Sequence, residues 1–511
     1  MENLMIGPKG GLIKKHEFVR IIIQCLYSLG YRKSAVCLES ESGISYKSAD
    51  FESLESHILN GNWDDCVSSI NKLKSLGDET RASALFIVFK HCLLECLNRG
   101  DNALALEILR KQVVGLQDEE NVHNLAVGLL FLKELGLSKI DNGLIHELRE
   151  RLLFEMEKVL PPPITLPERR LEHLVEMAVG AQIDNCVYHS SDAVSLYEDH
   201  HCSRDNFPTE TVQILTNHKN EVWFVLFSNN GEYLATSSSD CTAIIWKVLE
   251  IGRVTQKHIL RSHQNPVSFV AWSPDDTMLL TCGNMEVLKL WDVETGICKH
   301  TFGSDGFVVS SCAWFPDSKR LVCGSSDPEK GIYMWDSEGN EIKAWKGVRM
   351  PKVSDIAVTP DGEHLISIFS DKEIHILNLH TNAERVISEK HSITSLSVSA
   401  DNKFFIVNLN SQEIHMWDIA GKLLKPSKYK GHRQHKYVIR SCFGGLNGTF
   451  IASGSEDSKV YIWNRLGDNP IEILSGHLMT VNCVSWNPRK PQMLASASDD
   501  QTIRIWCPSR F

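Results

Sequence analysis

The run GHLMTVNCVSWNP at 476–488, continued by MLASASDDQTIRIW at 493–506, decides the architecture of the C-terminal half. Polar and apolar residues alternate with a period of two over 481–486, 493–498 and 502–506, which predicts three short strands. Asn487-Pro488 and Asp499-Asp500 supply turn residues between them. Three antiparallel strands of this length cannot bury both faces alone, so the unit needs neighbours of its own kind. Counting back from Trp506, the residue closing the third strand recurs as Trp463, Trp417, Leu377 (in place of Trp), Trp335, Trp291 and Trp246. The spacing is roughly 40–45 residues, and seven such units can close a ring of radial sheets.

With a His early and a Trp late in the unit, residues 209–511 resemble the WD-repeat propeller family. The resemblance implies a hydrogen-bonded chain of His, hydroxyl, Asp and Trp that ties each blade's turn to its incoming loop. The residues are His218, Thr236, Asp240 and Trp246 in unit one, and His432, Ser453, Asp457 and Trp463 in unit six. In unit seven they are His477, Ser496, Asp500 and Trp506. Buried polar groups need such partners, and recurrence in three units argues against one His–Asp catalytic site. Units two to five keep fragments, namely the Trp-Asp pairs at 291–292, 335–336 and 417–418. Gly347-Val348 stands where Gly-His is expected in unit four. Too few residues follow Trp506 for a fourth strand, whereas 211–215 alternates like one. That segment is expected to form the last blade's outer edge and lock the ring.

Composition excludes several classes. A net charge of −11, with no basic run or Gly-rich phosphate loop, argues against a general nucleic-acid binder. No apolar run reaches the length of a membrane span, and 1–18 lacks the apolar core of a signal peptide. Fifteen Cys without framework spacing fit a reducing compartment. The expected location is therefore cytoplasmic and nuclear, with no membrane and no nucleic acid among the partners.

The first ten residues read as disordered. From about Leu12 a helix is predicted, with Phe18, Ile22, Cys25, Leu26 and Leu29 on one stripe and Gly30 at its C-terminal cap. A second helix carries Ala35 and Leu38 and ends near Gly43. The wording FVRIIIQCLYSLGYRKSAVCLESESG resembles the LisH motif, which implies pairing of two copies through Phe18, Ile22, Leu26 and Leu29. Helical patterns follow over 51–60, 66–76, 79–98 (capped by Asp78) and 103–114, with a break at Gly61-Asn62-Trp63-Asp64. FESLESHILNGNWDDC resembles the CTLH domain, and Cys92 and Cys96, one turn apart, read as core. Pro161-Pro162-Pro163 and Pro167 form a rigid connector. The helix after it is expected to pack through Leu171, Leu174, Val175 and Ala178. Cys186, His189, His200, His201 and Cys202 superficially suggest zinc. Adjacent ligands and a loose intervening segment favour instead a loop packed on the propeller, so no metal or cofactor is expected.

Taken together, LisH, CTLH, the Pro-rich connector, RRLEHLVEMA at 169–178, CSRDNFP at 202–208 and seven WD units resemble the WD repeat-containing protein 26 family. These are the WD-repeat subunits of the GID/CTLH ubiquitin ligase. The expected fold is an α + β multidomain chain: an all-α LisH/CTLH region, then an all-β seven-bladed propeller. Expected boundaries are 1–11 disordered, 12–44 LisH, 45–118 CTLH, 119–208 helical extension with connector, and 209–511 propeller. The resemblance implies a non-catalytic scaffold and substrate-presenting subunit acting in ubiquitin-dependent protein degradation. Its partners would be other LisH/CTLH and RING subunits and substrates, with self-association as a homodimer or higher oligomer. The chain has no C-x-x-C for a RING of its own, and no Arg two residues after any Trp-Asp pair. A nuclear LisH–CTLH–WD protein in splicing or transcriptional corepression is the alternative, as is a G-protein signalling scaffold. In WD propellers, offsets from the blade His and turn Asp tend to point onto the face that binds partners. Here they select Glu221, Trp223, Ser239, Glu456, Thr480, Asn482 and Asp499.

Overall fold

The computed structural model describes residues 5–6, 13–73, 76–99, 101–108, 142–162, 164–190, 193–250, 252–283, 287–302, 308–327, 330–345 and 352–509. It divides into two compact units, 1–178 and 179–511.

Among the described residues the first unit is helical apart from one small ladder. Met5–Ile6 pairs antiparallel with Ile13–Lys14, so the expectation of a disordered start fails at those two residues. The helices among the described residues are α1 (Lys15–Ser28), α2 (Arg32–Ser42), α3 (Ala49–Asn60), α4 (Trp63–Lys72), α5 (Asp78–Arg99), α6 (Asn102–Ile108), α7 (Asn142–Val159) and α8 (Arg170–Asn185), the last of which continues past residue 178. The remainder of the helix predicted over 103–114 lies outside the described residues, as does Gly347-Val348. Ser48 caps α3 by accepting from the Phe51 N–H. At Gly61 the chain turns with φ of 72°, which ends α3 and lets α4 begin two residues later. Phe51, Leu54, Ile58, Cys66, Ile70, Val88, Cys92, Leu152 and Met156 share one core, so Cys92 and Cys96 do pack as apolar residues. Burial pushes the Cys92 thiol up to about 12.

The inner face of α1 is set by residues other than its predicted stripe. Ile23 and Gln24 are buried, and Arg20 and Gln24 bond the connector carbonyls of Ile164 and Pro167 at 3.0 and 2.8 Å. Phe18, Ile22 and Leu26 stay half-buried, and Leu29 is 60% exposed. The expectation of a packed helix after the connector is also corrected. No residue of α8 is buried, its apolar residues lie half-buried at most, and Ala178 is exposed.

The second unit is a ring of seven four-stranded antiparallel sheets. Blade one comprises Val222–Phe227, Tyr233–Ser238, Thr242–Glu250 and Arg253–Arg261. Blades two to six begin with Val267–Trp272, Val309–Trp314, Val353–Val358, Ile393–Val398 and Ser441–Gly444. Blade seven takes Val481–Trp486, Leu494–Ser498 and Ile503–Cys507 from the C-terminus. Its fourth strand is Glu210–Leu215, with Thr211 opposite Trp506 and Leu215 opposite Ile503. Pairing of the first propeller strand with the last joins the ring and removes the open edge. The Gln213 amide strengthens the joint by exchanging two 2.8 Å hydrogen bonds with the Val254 backbone of blade one.

Candidate functional site

In blades one and seven the predicted polar chain forms. His218 lies 3.0 Å from Asp240 through Nδ1 and 2.9 Å from Thr236 through Nε2, and the Trp246 indole N–H donates to Thr236 at 3.0 Å. The same bonds in blade seven join His477 to Asp500 (2.9 Å) and Ser496 (2.8 Å), and Trp506 to Ser496 (2.8 Å). Because a carboxylate only accepts, Nδ1 carries the proton and Nε2 accepts from the hydroxyl, whose oxygen takes the indole N–H. Thr242 and Thr502 each donate to their turn Asp at 2.6 Å. These chains fasten each blade's turn to its incoming loop, and they recur in two blades.

Blade six departs from the expected chain. Tyr461 donates its hydroxyl to Asp457 at 2.8 Å, and the Trp463 indole donates to the Lys430 carbonyl at 3.0 Å. Ser453 turns to the Gly454 carbonyl. Lys459 stands where blades one and seven carry Thr242 and Thr502, so the hydroxyl that completes the Asp cradle is missing. His432 makes no hydrogen bond of ordinary geometry and lies edge-on to Trp463. Burial pushes its pKa down to about 4, with Gln434 and Asp457 opposing. Blade two, in contrast, holds a chain the sequence reading missed: His263 bonds Thr281 at 2.7 Å and Trp291 bonds Thr281 at 2.8 Å.

The latch makes a pH prediction. At Asp500 burial acts to raise the pKa, but the bonds from His477 and Thr502 outweigh it and hold the carboxyl well below its usual range. A lowered folded pKa means that the carboxylate stabilises the fold above the unfolded pKa, and that this contribution disappears as pH falls. Asp500→Asn should therefore cost about 1.5–3 kcal/mol at neutral pH. The difference from the native chain should shrink as the pH falls below about 4. Urea unfolding across a pH series measures it; a pH-independent difference would assign the loss to packing.

The residues selected for the partner face divide. Six gather where blades seven and one meet. The half-buried Trp223 donates its indole N–H to Glu221 at 3.0 Å, and the Glu221 carbonyl accepts from the Ser239 N–H at 3.0 Å. Asn482, which is buried, bridges the Asp499 carboxylate (2.6 Å) and the Val222 carbonyl (3.1 Å), while the Thr480 carbonyl accepts from the Asp499 N–H. Burial raises the Asp499 pKa, and the nearby Glu221 and Asp500 charges raise it further against the Asn482 bond. The seventh, Glu456, stands apart on blade six. Its Oε1 accepts from the backbone N–H groups of His435, Lys436 and Tyr437, at 2.9, 2.7 and 2.9 Å, so it shapes a loop.

A second convergence had no signal in the sequence. Arg440 reaches Asp355 of blade four at 2.9 Å, and its guanidinium sits 5.0 Å and 4.8 Å from the ring centroids of Phe224 and Phe269. Asp355 also accepts from the Leu396 N–H, and the Arg440 N–H donates to the Asn482 carbonyl. Blades one, two and four thus meet on the Arg440 side chain, while its backbone N–H reaches blade seven and Asp355 reaches blade five.

Comparison with known proteins follows the same division of the chain. The WDR26 Lis-homology domain matches residues 4–48, and the WD domain, G-beta repeat, matches 209–247, 254–292, 296–336, 425–464 and 468–507. A WD repeat-containing protein WDS homolog of Arabidopsis thaliana is 66% identical over 100% of this chain and 99% of its own length. A WD repeat-containing protein 26 homolog of the same plant is 44% identical over 98% of this chain and 85% of its own. The chain belongs to the WD repeat-containing protein 26 family. GID complex subunit 7 of Schizosaccharomyces pombe is 33% identical, over 96% of both chains. Within the WDR26-type propeller the repeat matches skip blades four and five, which the structure nonetheless folds as four-stranded sheets. Among the described residues no helix is long and apolar enough to cross a membrane.

Proposed function

We propose that this chain is a non-catalytic subunit of a GID/CTLH-type ubiquitin ligase, assembling through its helical region and presenting substrates or partners on the propeller. The observation that carries the reading is the 96% two-way coverage by a relative named GID complex subunit 7. The proposed contact surface is the seam of blades seven and one, around Trp223, Glu221 and Asp499. A half-buried indole beside two carboxylates suits a partner with a Lys or Arg next to an apolar anchor, which gains ring area and cation–π attraction. Trp223→Ala should weaken partner capture about tenfold or more, with the melting temperature and assembly mass nearly unchanged. Co-purification from cells reads the assembly: RING-bearing subunits support the proposal, whereas spliceosomal proteins in their place would favour the nuclear alternative.

Self-association is proposed through the α1 stripe, because Leu29 is exposed and Phe18, Ile22 and Leu26 are incompletely covered. Ile22→Asp with Leu26→Asp should reduce the mass seen by light scattering while the propeller stays folded, since charge buried in a helical interface is costly. An unchanged mass would move the contact elsewhere in the helical region.

A further inference from the structure

The segment between α8 and the propeller brings together four of the five Cys and His residues that looked unpromising in sequence. The ligand atoms of Cys186, His189, His200 and Cys202 all lie within 4.8 Å of one another. His189 Nδ1 is 2.9 Å from His200 Nε2, and Cys202 Sγ is 3.4 Å from the same nitrogen. Cys186, His189 and Cys202 are buried and His200 is half-buried, whereas His201 is exposed and does not take part. We propose that these four side chains form a structural zinc site.

The geometry and the donor set both point to that ion. Tetrahedral zinc, with bonds of about 2.3 Å to sulfur and 2.0–2.1 Å to nitrogen, places its donors roughly 3.3–3.8 Å apart. The observed separations, from 2.9 Å up to a bound of 4.8 Å, bracket that range, so side-chain adjustments of about an ångström or less suffice. Two thiolates and two imidazoles are a zinc donor set, distinct from the oxygen ligands that magnesium or calcium prefer. Four protein ligands leave no open position, which makes the site structural and not catalytic. An outer shell is in place. The Ser190 N–H donates to Cys202 Sγ at 3.4 Å, the bond a thiolate sulfur accepts. The His200 N–H donates to the Gln182 side chain at 3.0 Å, and Gln182 in turn donates to Asp199 at 2.8 Å. These bonds orient His200 from the last turns of α8.

The ion would fasten two separate pieces of chain. Cys186 follows the end of α8, its N–H bonded to the Ile183 carbonyl. Cys202 begins the run that docks on blades six and seven through Arg204, ion-paired with Glu472, and through the buried Phe207. Metal ligation joins these pieces by closing the loop between them, and the closure lowers the freedom of the unfolded chain.

The test is zinc content in the full-length chain, purified without chelator and dialysed, with metal and protein quantified together. One zinc per chain is expected in the native protein and in His201→Ala, and loss in Cys186→Ser with Cys202→Ser. Cobalt exchanged into the native chain keeps the test independent of whether the variant folds. It should give tetrahedral ligand-field bands and a thiolate charge-transfer band. The half-exposed His200→Ala should weaken that spectrum while circular dichroism stays native. Absence of stoichiometric zinc from the native chain, zinc retained by the double variant, or a Cys186–Cys202 disulfide in freshly prepared protein would each overturn the proposal.

Discussion

Phe207→Ala is expected to lower the stability of the propeller by about 3–5 kcal/mol. The ring is 1% exposed and stands outside every blade, just ahead of the strand that closes the ring. It meets Phe450 edge-on at 5.0 Å, Trp486 at 5.6 Å and Tyr188 at 5.3 Å, so it caps the seam between blades six and seven. Phe450 and Trp486 stack on each other at 5.6 Å, and a truncated Phe207 leaves both beside a cavity they cannot fill by moving together. The docking is reinforced at Glu472, whose carboxylate accepts from Tyr188 at 2.9 Å and from Arg204 at 3.0 Å. Burial acts to raise the Glu472 pKa, but these two donors hold it lower, so the pair persists at neutral pH. Urea midpoints of the full chain measure the loss. Phe207→Leu, which keeps most of the volume, should cost less. An unchanged midpoint for Phe207→Ala would show that blades six and seven seal without it. The same packing makes a second comparison decisive. A fragment over 204–511 should fold, one over 210–511 should be weakened by the missing aromatic cap, and one over 217–511 should aggregate through the exposed edge of Ile503–Cys507.

The blades were legible because their signals are local. A period of two, turn residues at fixed offsets and a Trp closing each third strand need only neighbouring residues to be read, and the ring-closing strand announced itself by the same alternation. The latches of blades one and seven were legible for the same reason. Blade six misled because one position, Lys459 in place of a hydroxyl, changes which groups Asp457 can hold. Arg440 and Asp355 escaped because their meeting depends on ring closure, which brings together residues far apart in sequence. The Cys and His residues at 186–202 failed as a motif for a related reason: their spacing is irregular, and only docking of the segment makes the donors converge. On α1 the pattern marked the apolar stripe, but the face holding the connector is partly polar. Arg20 and Gln24 bind backbone carbonyls there, which a count of apolar residues does not detect.

The helical region should be most sensitive at Arg149. Its side chain is 14% exposed and forms a two-bond pair with Glu95, at 2.7 and 2.9 Å, where Glu95 is only 7% exposed. A third bond, to the Leu59 carbonyl at 2.7 Å, satisfies the last turn of α3, and the guanidinium lies 5.8 Å from the Trp63 ring centroid. One side chain on α7 therefore holds α3, α4 and α5 together. It occupies the space beside Gly61, where an added Cβ would stand 2.2 Å from Nη2. Arg149→Leu should cost about 3–5 kcal/mol, because it strands a buried carboxylate as well as removing a pair. The 3.3 Å contact from Arg99 cannot replace it, since that side chain is 65% exposed and screened by water. The cause is separable. If the loss comes from the orphaned charge, Glu95→Leu combined with Arg149→Leu should recover much of it, as two apolar groups replace a pair that had to be desolvated. If the double variant is as unstable as Arg149→Leu alone, the bond to Leu59 and the packing beside Gly61 carry the energy. Gly61→Ala provides the independent check, as it adds a methyl group at that contact and strains a backbone with φ of 72°. It should therefore destabilise the native chain, and lose part of its penalty in the Arg149→Leu background where the space is vacated.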